Sequence, residues 1–319
     1  MRGHFWTLKG HIGRTLKPEK LPSARHLALS IDAGAIGTVR LSARLSVPSA
    51  ATSLLILAHG LGGSSQSPYL FPAVNAAHAL GIATLRLNLR GADLRGEDFY
   101  HAGLTDDVRS WLAHPQLSEF SRIALLGYSL GGHLCLRCAS ESLDPRLVAI
   151  SSLCAPLDLD QSAAAFDSAR FGLYRAHVLR SLKAMYRQVA NKRPVSLATT
   201  EVDRISSIRQ WDEQIVAPRH GFQSAVDYYA QMSAGPKLGQ IELPTLLAYA
   251  EEDPVVPPRT FHGALARCSQ AVQIWKIPRG GHIGFPTGPT PHDPSPNDIV
   301  PHTGSVDVQL VHWLVQHLS

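Results

Sequence analysis

The stretch Gly127-Tyr128-Ser129-Leu130-Gly131-Gly132 constrains this chain more than any other. It follows the apolar run Ile123-Ala124-Leu125-Leu126 and precedes His133-Leu134-Cys135-Leu136-Arg137-Cys138-Ala139, which reads as a helix. A serine with glycine two residues to either side, leaving a buried strand and entering a helix, is the pattern of a nucleophile elbow. The glycines have a steric reason. At so sharp a turn, side chains at the flanking positions would collide with the strand and the helix that meet there. The serine hydroxyl is thereby pushed to the top of a sheet, with a helix N-terminus behind it.

The rest of the chain supplies such a sheet, because strand-type and helix-type patterns alternate along it. Residues His26 to Ile31 and Ile36 to Ser46 alternate apolar and polar around Ala33-Gly34 and predict an antiparallel hairpin. The fully apolar run Ser53 to Ala58 reads as a buried central strand. A helix at Pro72 to Leu80, a strand at Ile82 to Leu87, a helix at Thr105 to Ala113 and a strand at Arg122 to Gly127 lead to the elbow. Further strands are expected at Leu147 to Leu153, Pro244 to Ala250 and Val272 to Ile277, with a final helix at Asp307 to Leu318. Between about Leu157 and Gly239 the strand rhythm stops. There Phe171, Tyr174, Val178, Leu182, Met185 and Val189 fall at helical spacing, with Arg175, Arg180, Lys183 and Arg187 on the other side. The fold expected is α/β: a mostly parallel central sheet of about eight strands flanked by helices. Residues 1–156 and 240–319 would form the core and 157–239 a helical cap over the site. An ordinary solvent-facing helix, or a basic face drawn to anionic lipid, are the other readings of that segment. The segment from His282 to His302, rich in proline, glycine and histidine, reads as a long loop.

Composition excludes several function classes. In 319 residues, 45% hydrophobic and 17% charged, a sizeable core is affordable and disorder is not expected. The net charge of +5 is scattered, mostly as arginine, without a block of like charges, so no nucleic-acid footprint is expected. Four cysteines make no disulfide framework, and Cys135 and Cys138 read as core thiols on a helix rather than metal ligands. The N-terminus lacks the apolar segment of a signal peptide, and no run of eighteen apolar residues would span a membrane. A cytoplasmic monomer, with peripheral membrane contact left open, is the expectation.

A serine hydroxyl is a poor nucleophile at neutral pH, so a working elbow needs a base, a group to orient that base, and donors for an oxyanion. Asp253 lies just past an apolar strand in Glu251-Glu252-Asp253-Pro254, at the carboxyl edge where sites in open α/β sheets form. Glu251, Glu252 and Asp158 are its rivals. His282 follows Pro278-Arg279-Gly280-Gly281 beyond the last strand and completes the chain order Ser, Asp, His. The turn Ala58-His59-Gly60-Leu61-Gly62-Gly63 after the central strand points backbone N–H groups at the same place. The oxyanion donors are therefore assigned to the N–H groups of Leu61 and Leu130. His59, Gly60 and Tyr128 are expected to contact a small-molecule ester. His59 more naturally locks its turn than moves protons, and His101, His114, His133 and His220 take structural readings. Residues Gly60 to Gly63 fit neither phosphate-binding glycine pattern, and no metal or organic cofactor is expected.

Together these stretches resemble the α/β-hydrolase superfamily, and within it the YheT-like branch related to abhydrolase domain-containing and EMB8-type hydrolases. The resemblance rests on His59 to Ser65, Asn88 to Asp93, Tyr100 to Asp107, the elbow, Asp212 to Ala217, His220-Gly221-Phe222, Asp227-Tyr228-Tyr229 and Glu252-Asp253-Pro254. It implies Ser129, Asp253 and His282 as a catalytic triad and a carboxylic-ester hydrolase acting through an acyl-enzyme. Thioesterase, amidase or acyltransferase chemistry would use the same groups, and a non-catalytic binding scaffold is the alternative of another class. The loop after His282 departs from the family by its length.

Overall fold

The strand Ser53–Ala58 shows why this sequence makes a two-sided sheet. Its Leu54, Ile56 and Ala58 join the core on one face, while Leu55 and Leu57 join the core on the other. A strand apolar at every position has no solvent side to offer, so helices must cover both faces. In the computed structural model, which describes residues 3–9, 19–141, 144–168, 172–286 and 304–318, they do.

Helix α1 (3–9) precedes the antiparallel hairpin of β1 (Arg25–Asp32) and β2 (Thr38–Ser46). Then come β3 (Ser53–Ala58), α2 (Phe71–Ala79), β4 (Ala83–Asn88), α3 (Thr105–Leu112), β5 (Arg122–Tyr128), α4 (Leu130–Ser140) and β6 (Leu147–Leu153). Helices α5 (Leu159–Phe166), α6 (Gly172–Ala190), α7 (Thr199–Val202), α8 (Ile208–Trp211), α9 (Ala217–His220) and α10 (Ala225–Met232) separate β6 from the next strand. A single π turn, Asp212–Val216, joins α8 to α9. The chain continues through β7 (Thr245–Ala250), α11 (His262–Leu265), β8 (Val272–Ile277) and α12 (Val306–Leu318). The strands lie in the order β1-β2-β4-β3-β5-β6-β7-β8, with β2 antiparallel to β4 and every pair from β4 to β8 parallel.

Helices α2 and α12 pack on one face of the sheet through Val74, Ala77, Leu310 and Trp313. On the other face lie α3, α4 and the helices between β6 and β7, joined in one apolar cluster. The expected strands and helices fall within three residues of their observed bounds, the largest gap being at the start of α4. Tyr174, Val178, Leu182, Met185 and Val189 share the inward side of α6, whereas Phe171 and the proline-rich residues 287–302 lie outside the described residues.

One polar network holds the loops at the carboxyl edge. Arg90, buried after β4, takes Asp98 at 2.9 Å and Asp107 of α3 through its Nε at 3.1 Å. Arg219 of α9 reaches the other oxygen of Asp98 at 2.8 Å, so the helices after β6 are tied to the loop after β4. Asp98 is fully buried and shares two guanidinium groups, which offsets the cost of desolvating it. The network gives Arg90 and Asp107, from the Asn88 to Asp93 and Tyr100 to Asp107 stretches, a structural part.

Candidate active site

Strand β5 delivers Ser129 to the turn into α4. Its backbone sits at φ +52°, a region that residues with a side chain rarely occupy. The turn is held by its neighbours: the Ser129 N–H donates to the carbonyl of Leu153 at 2.8 Å, and His133 N–H donates back to the Ser129 carbonyl at 3.0 Å. Close approach is what the flanking glycines permit. A Cβ on Gly127 would stand 2.2 Å from the carbonyl oxygen of Gly131, and one on Gly131 would stand 2.2 Å from that of Ala58.

The three residues expected from the sequence meet. His282 Nε2 lies 2.9 Å from Ser129 Oγ, and its Nδ1 lies 2.9 Å from Asp253 Oδ2. Asp253 is buried, and its other oxygen accepts the N–H groups of Val255 at 2.8 Å and Val256 at 2.9 Å. Those two bonds fix the carboxylate plane and leave Oδ2 for the imidazole. The rival acids are elsewhere. Asp158 caps α5 by accepting from the Gln161 N–H at 2.9 Å, and Glu251 pairs with Lys276 at 2.9 Å.

The turn after β3 is braced from two sides by tyrosines: Gly60 N–H donates to Tyr69 Oη at 2.9 Å and Gly62 N–H to Tyr100 Oη at 2.7 Å. Between them, the Leu61 N–H makes no hydrogen bond among the described residues, and neither does the N–H of Leu130 in the first turn of α4. Both residues line the cavity that opens at Ser129. Two donors left unsatisfied beside a serine hydroxyl could receive an oxyanion, and the positive end of α4 adds to them.

Of the residues expected to touch substrate, Gly60 lines the cavity, and the structure places His59 and Tyr128 behind it. His59 is fully buried, its Nδ1 donating to the Gly60 carbonyl at 2.8 Å and its Nε2 accepting from the Leu89 N–H at 3.1 Å. Burial lowers its pKa to about 4, so it is a neutral latch between two turns. Tyr128 is buried under the sheet, its ring tilted against that of Tyr69, and donates to Asp307 of α12 at 3.0 Å. Strand alternation is the reason: its neighbour Ser129 faces the site, so Tyr128 faces away.

Sequence reasoning missed helix α1. The N–H of His282 donates to Thr7 Oγ1 at 2.8 Å, and that hydroxyl donates to the Gly3 carbonyl at 2.9 Å. A Cβ on Gly281 would stand 2.1 Å from the Gly3 oxygen, so this helix and the histidine loop touch backbone to backbone. His4, Thr7 and Leu8 also line the cavity. No sequence motif marks α1; only the Gly280-Gly281 pair hinted at close packing.

The cavity measures about 870 Å³, and its walls are mainly apolar, including Leu61, Leu159, Phe166, Val178, Trp211 and Val256. Asp212 is the one carboxylate among the residues that line it. Burial raises its pKa to about 7, and Tyr229 Oη donates to it at 2.6 Å. Cys154, Asp253 and His282 bring ligand-type atoms within 4.8 Å of one another, the one such group of three among the described residues. Burial, then the Asp253 charge, pushes the Cys154 thiol well up, so it stays protonated and is a poor metal ligand there.

Comparison with known proteins agrees with this architecture. Residues 53–289 match the family model of the alpha/beta hydrolase fold. The chain is 33% identical over 249 residues to the putative esterase YheT of Escherichia coli, covering 75% of this chain and 72% of that protein. It is 24% identical over 306 residues to human monoacylglycerol lipase ABHD2, covering 89% of this chain and 72% of the relative. Among solved structures it resembles dienelactone hydrolase from Anabaena variabilis, with a TM-score of 0.51, 18% identity, and coverage of 93% of this chain and 99% of the other. That last likeness is one of fold. By sequence and architecture together, the chain belongs to the α/β-hydrolase family.

Proposed function

We propose that this chain is a serine hydrolase that cleaves carboxylic esters of apolar acyl or alkyl groups through an acyl-enzyme. The observation that carries the reading is the continuous relay Ser129 Oγ, His282 Nε2, His282 Nδ1, Asp253 Oδ2, with both contacts at 2.9 Å. In this reading His282 accepts the Ser129 proton as Oγ attacks the ester carbonyl, and Asp253 holds the imidazole tautomer and steadies the imidazolium. The carbonyl oxygen, now an anion, accepts from the Leu61 and Leu130 N–H groups. Collapse breaks the carbon–oxygen bond, and the leaving alkoxide takes the proton from His282. Water then attacks the acyl-enzyme, giving its proton to His282, and Ser129 leaves with that proton restored.

The apolar cavity supports an apolar chain on one side of the ester, since burying such a chain contributes about 0.8 kcal/mol per methylene. The names of the relatives, an esterase and a monoacylglycerol lipase, support the same bond type. Residues 157–239 act as a cap in this account: Leu159, Phe166, Val178 and Trp211 from that segment face the cavity. A fluorophosphonate probe tests the reading. Labelling of the native chain and none of Ser129→Ala is expected. Equal labelling of both would overturn it.

A further inference from the structure

The mouth of the cavity carries apolar side chains that the fold leaves in water. Leu173, at the start of α6, is 86% exposed, Phe5 of α1 is 56% exposed, and Leu8 of α1 is 42% exposed. Leu8 and Leu173 also line the cavity, so these residues belong to its rim. Phe5 is one turn of α1 from Leu8. A monomer gains nothing by presenting leucines at such exposure, and apolar patches ringed by charge mark surfaces that meet something else.

Cations from two helices flank the rim. Lys9 lies over the rings of Phe5 and Trp6, 5.6 and 5.1 Å from their centroids. The outer face of α6 forms a shallow groove bearing Arg175, Arg180, Lys183 and Arg187, and this groove shares Gly172 with the cavity wall. Only one carboxylate, Asp203, meets these cations among the described residues: it pairs with Arg187, while its backbone carbonyl accepts from Lys183 at 2.9 Å. Arg175 donates to the carbonyls of Asp167 and Ser168, which do not neutralise it. Arg180 has no hydrogen bond or ion pair among the described residues. One helix therefore turns apolar residues to the cavity, four cations outward, and an exposed leucine to the rim.

We propose that the cavity mouth docks onto the surface of an anionic phospholipid bilayer, with Leu173, Phe5 and Leu8 entering the headgroup region and the α6 cations meeting lipid phosphates. Charge complementarity selects this occupant: apolar rim residues match the acyl boundary, and spread cations match a field of phosphates better than one small anion. Docking would bring an apolar ester to the cavity without crossing water. This inference deepens the esterase reading but is tested apart from it.

The test uses the full chain carrying Ser129→Ala, so that binding is read without turnover. Flotation with vesicles of phosphatidylcholine alone, and of phosphatidylcholine with about a third phosphatidylglycerol, is measured at low and high salt. Binding is expected only with the anionic vesicles and is expected to fall at high salt. Arg180→Glu should weaken partitioning about fivefold or more, and Leu173→Ser should weaken it at both salt concentrations. In the Ser129 background, Arg180→Glu should retain the wild-type rate on a short water-soluble ester, which separates a docking role from a folding defect. Equal binding to both vesicle types, no flotation, or unchanged binding by both variants would overturn the proposal. So would full displacement by millimolar glycerol phosphate, which would mark a pocket for a free anion.

Discussion

Ser129 occupies its turn at a cost, and that cost is measurable. At φ +52° and ψ −118° a residue with a side chain is held in a sparsely populated region, which costs on the order of 1–3 kcal/mol. Glycine would occupy the same backbone without that strain, though it gives up about 0.5–1 kcal/mol of chain entropy. Ser129→Ala and Ser129→Gly both lose the hydroxyl and its contact with His282, so the pair differs only in the Cβ. At the midpoints of those ranges the glycine variant should therefore be the more stable by roughly 1 kcal/mol. For a chain of 319 residues that corresponds to a rise in Tm of about 2 °C. Scanning calorimetry or urea unfolding of the two variants reads it directly, and neither variant should hydrolyse esters. If Ser129→Gly melts with Ser129→Ala or below it, the turn is not strained and the steric account of the elbow fails.

Thr7→Val removes the acceptor for the His282 N–H and should cut kcat about tenfold through a misplaced imidazole, on the scale of one lost buried hydrogen bond, while Thr7→Ser retains most activity. Gly281→Ala drives a methyl into the Gly3 carbonyl and should lower kcat and loosen α1, seen as faster proteolysis near the N-terminus; unchanged kinetics would contradict the backbone contact. His59, with its folded pKa depressed to about 4 against about 6.5 unfolded, contributes stability that is whole above pH 6.5 and lost as pH falls toward 4. Its full share is about 3 kcal/mol, so urea unfolding at pH 7 and pH 5 should differ, and His59→Gln should flatten part of that slope. Asp212 works in the opposite sense: its pKa is raised to about 7, so ionising it costs stability as pH rises from about 4 to 7. Asp212→Asn should raise Tm most at pH 8 and hardly at pH 4.

The sheet was legible because burial on both faces leaves an unbroken apolar run, as in Ser53 to Ala58 and Arg122 to Gly127. Ser129, Asp253 and His282 were legible because each follows a strand, and strand ends in such a sheet converge at one edge. Thr7 was not, since a threonine 275 residues from its partner leaves no local signal. His59 and Tyr128 were misassigned to substrate for a related reason. Adjacency in sequence to Gly60 and Ser129 says nothing about which face a side chain takes, and both turn inward. The π turn at Asp212–Val216 carries no periodicity distinct from the helices beside it. What drew attention to that stretch was the family resemblance.

The central claim is that an acyl group passes through Ser129. Rapid mixing with a p-nitrophenyl acyl ester, acid quench and mass spectrometry of the digested chain would locate that group. The account predicts a burst of p-nitrophenol, and an acyl adduct on the peptide bearing Ser129 that decays as turnover ends. Hydrolysis without an adduct on that peptide, or at an undiminished rate in Ser129→Ala, would contradict it.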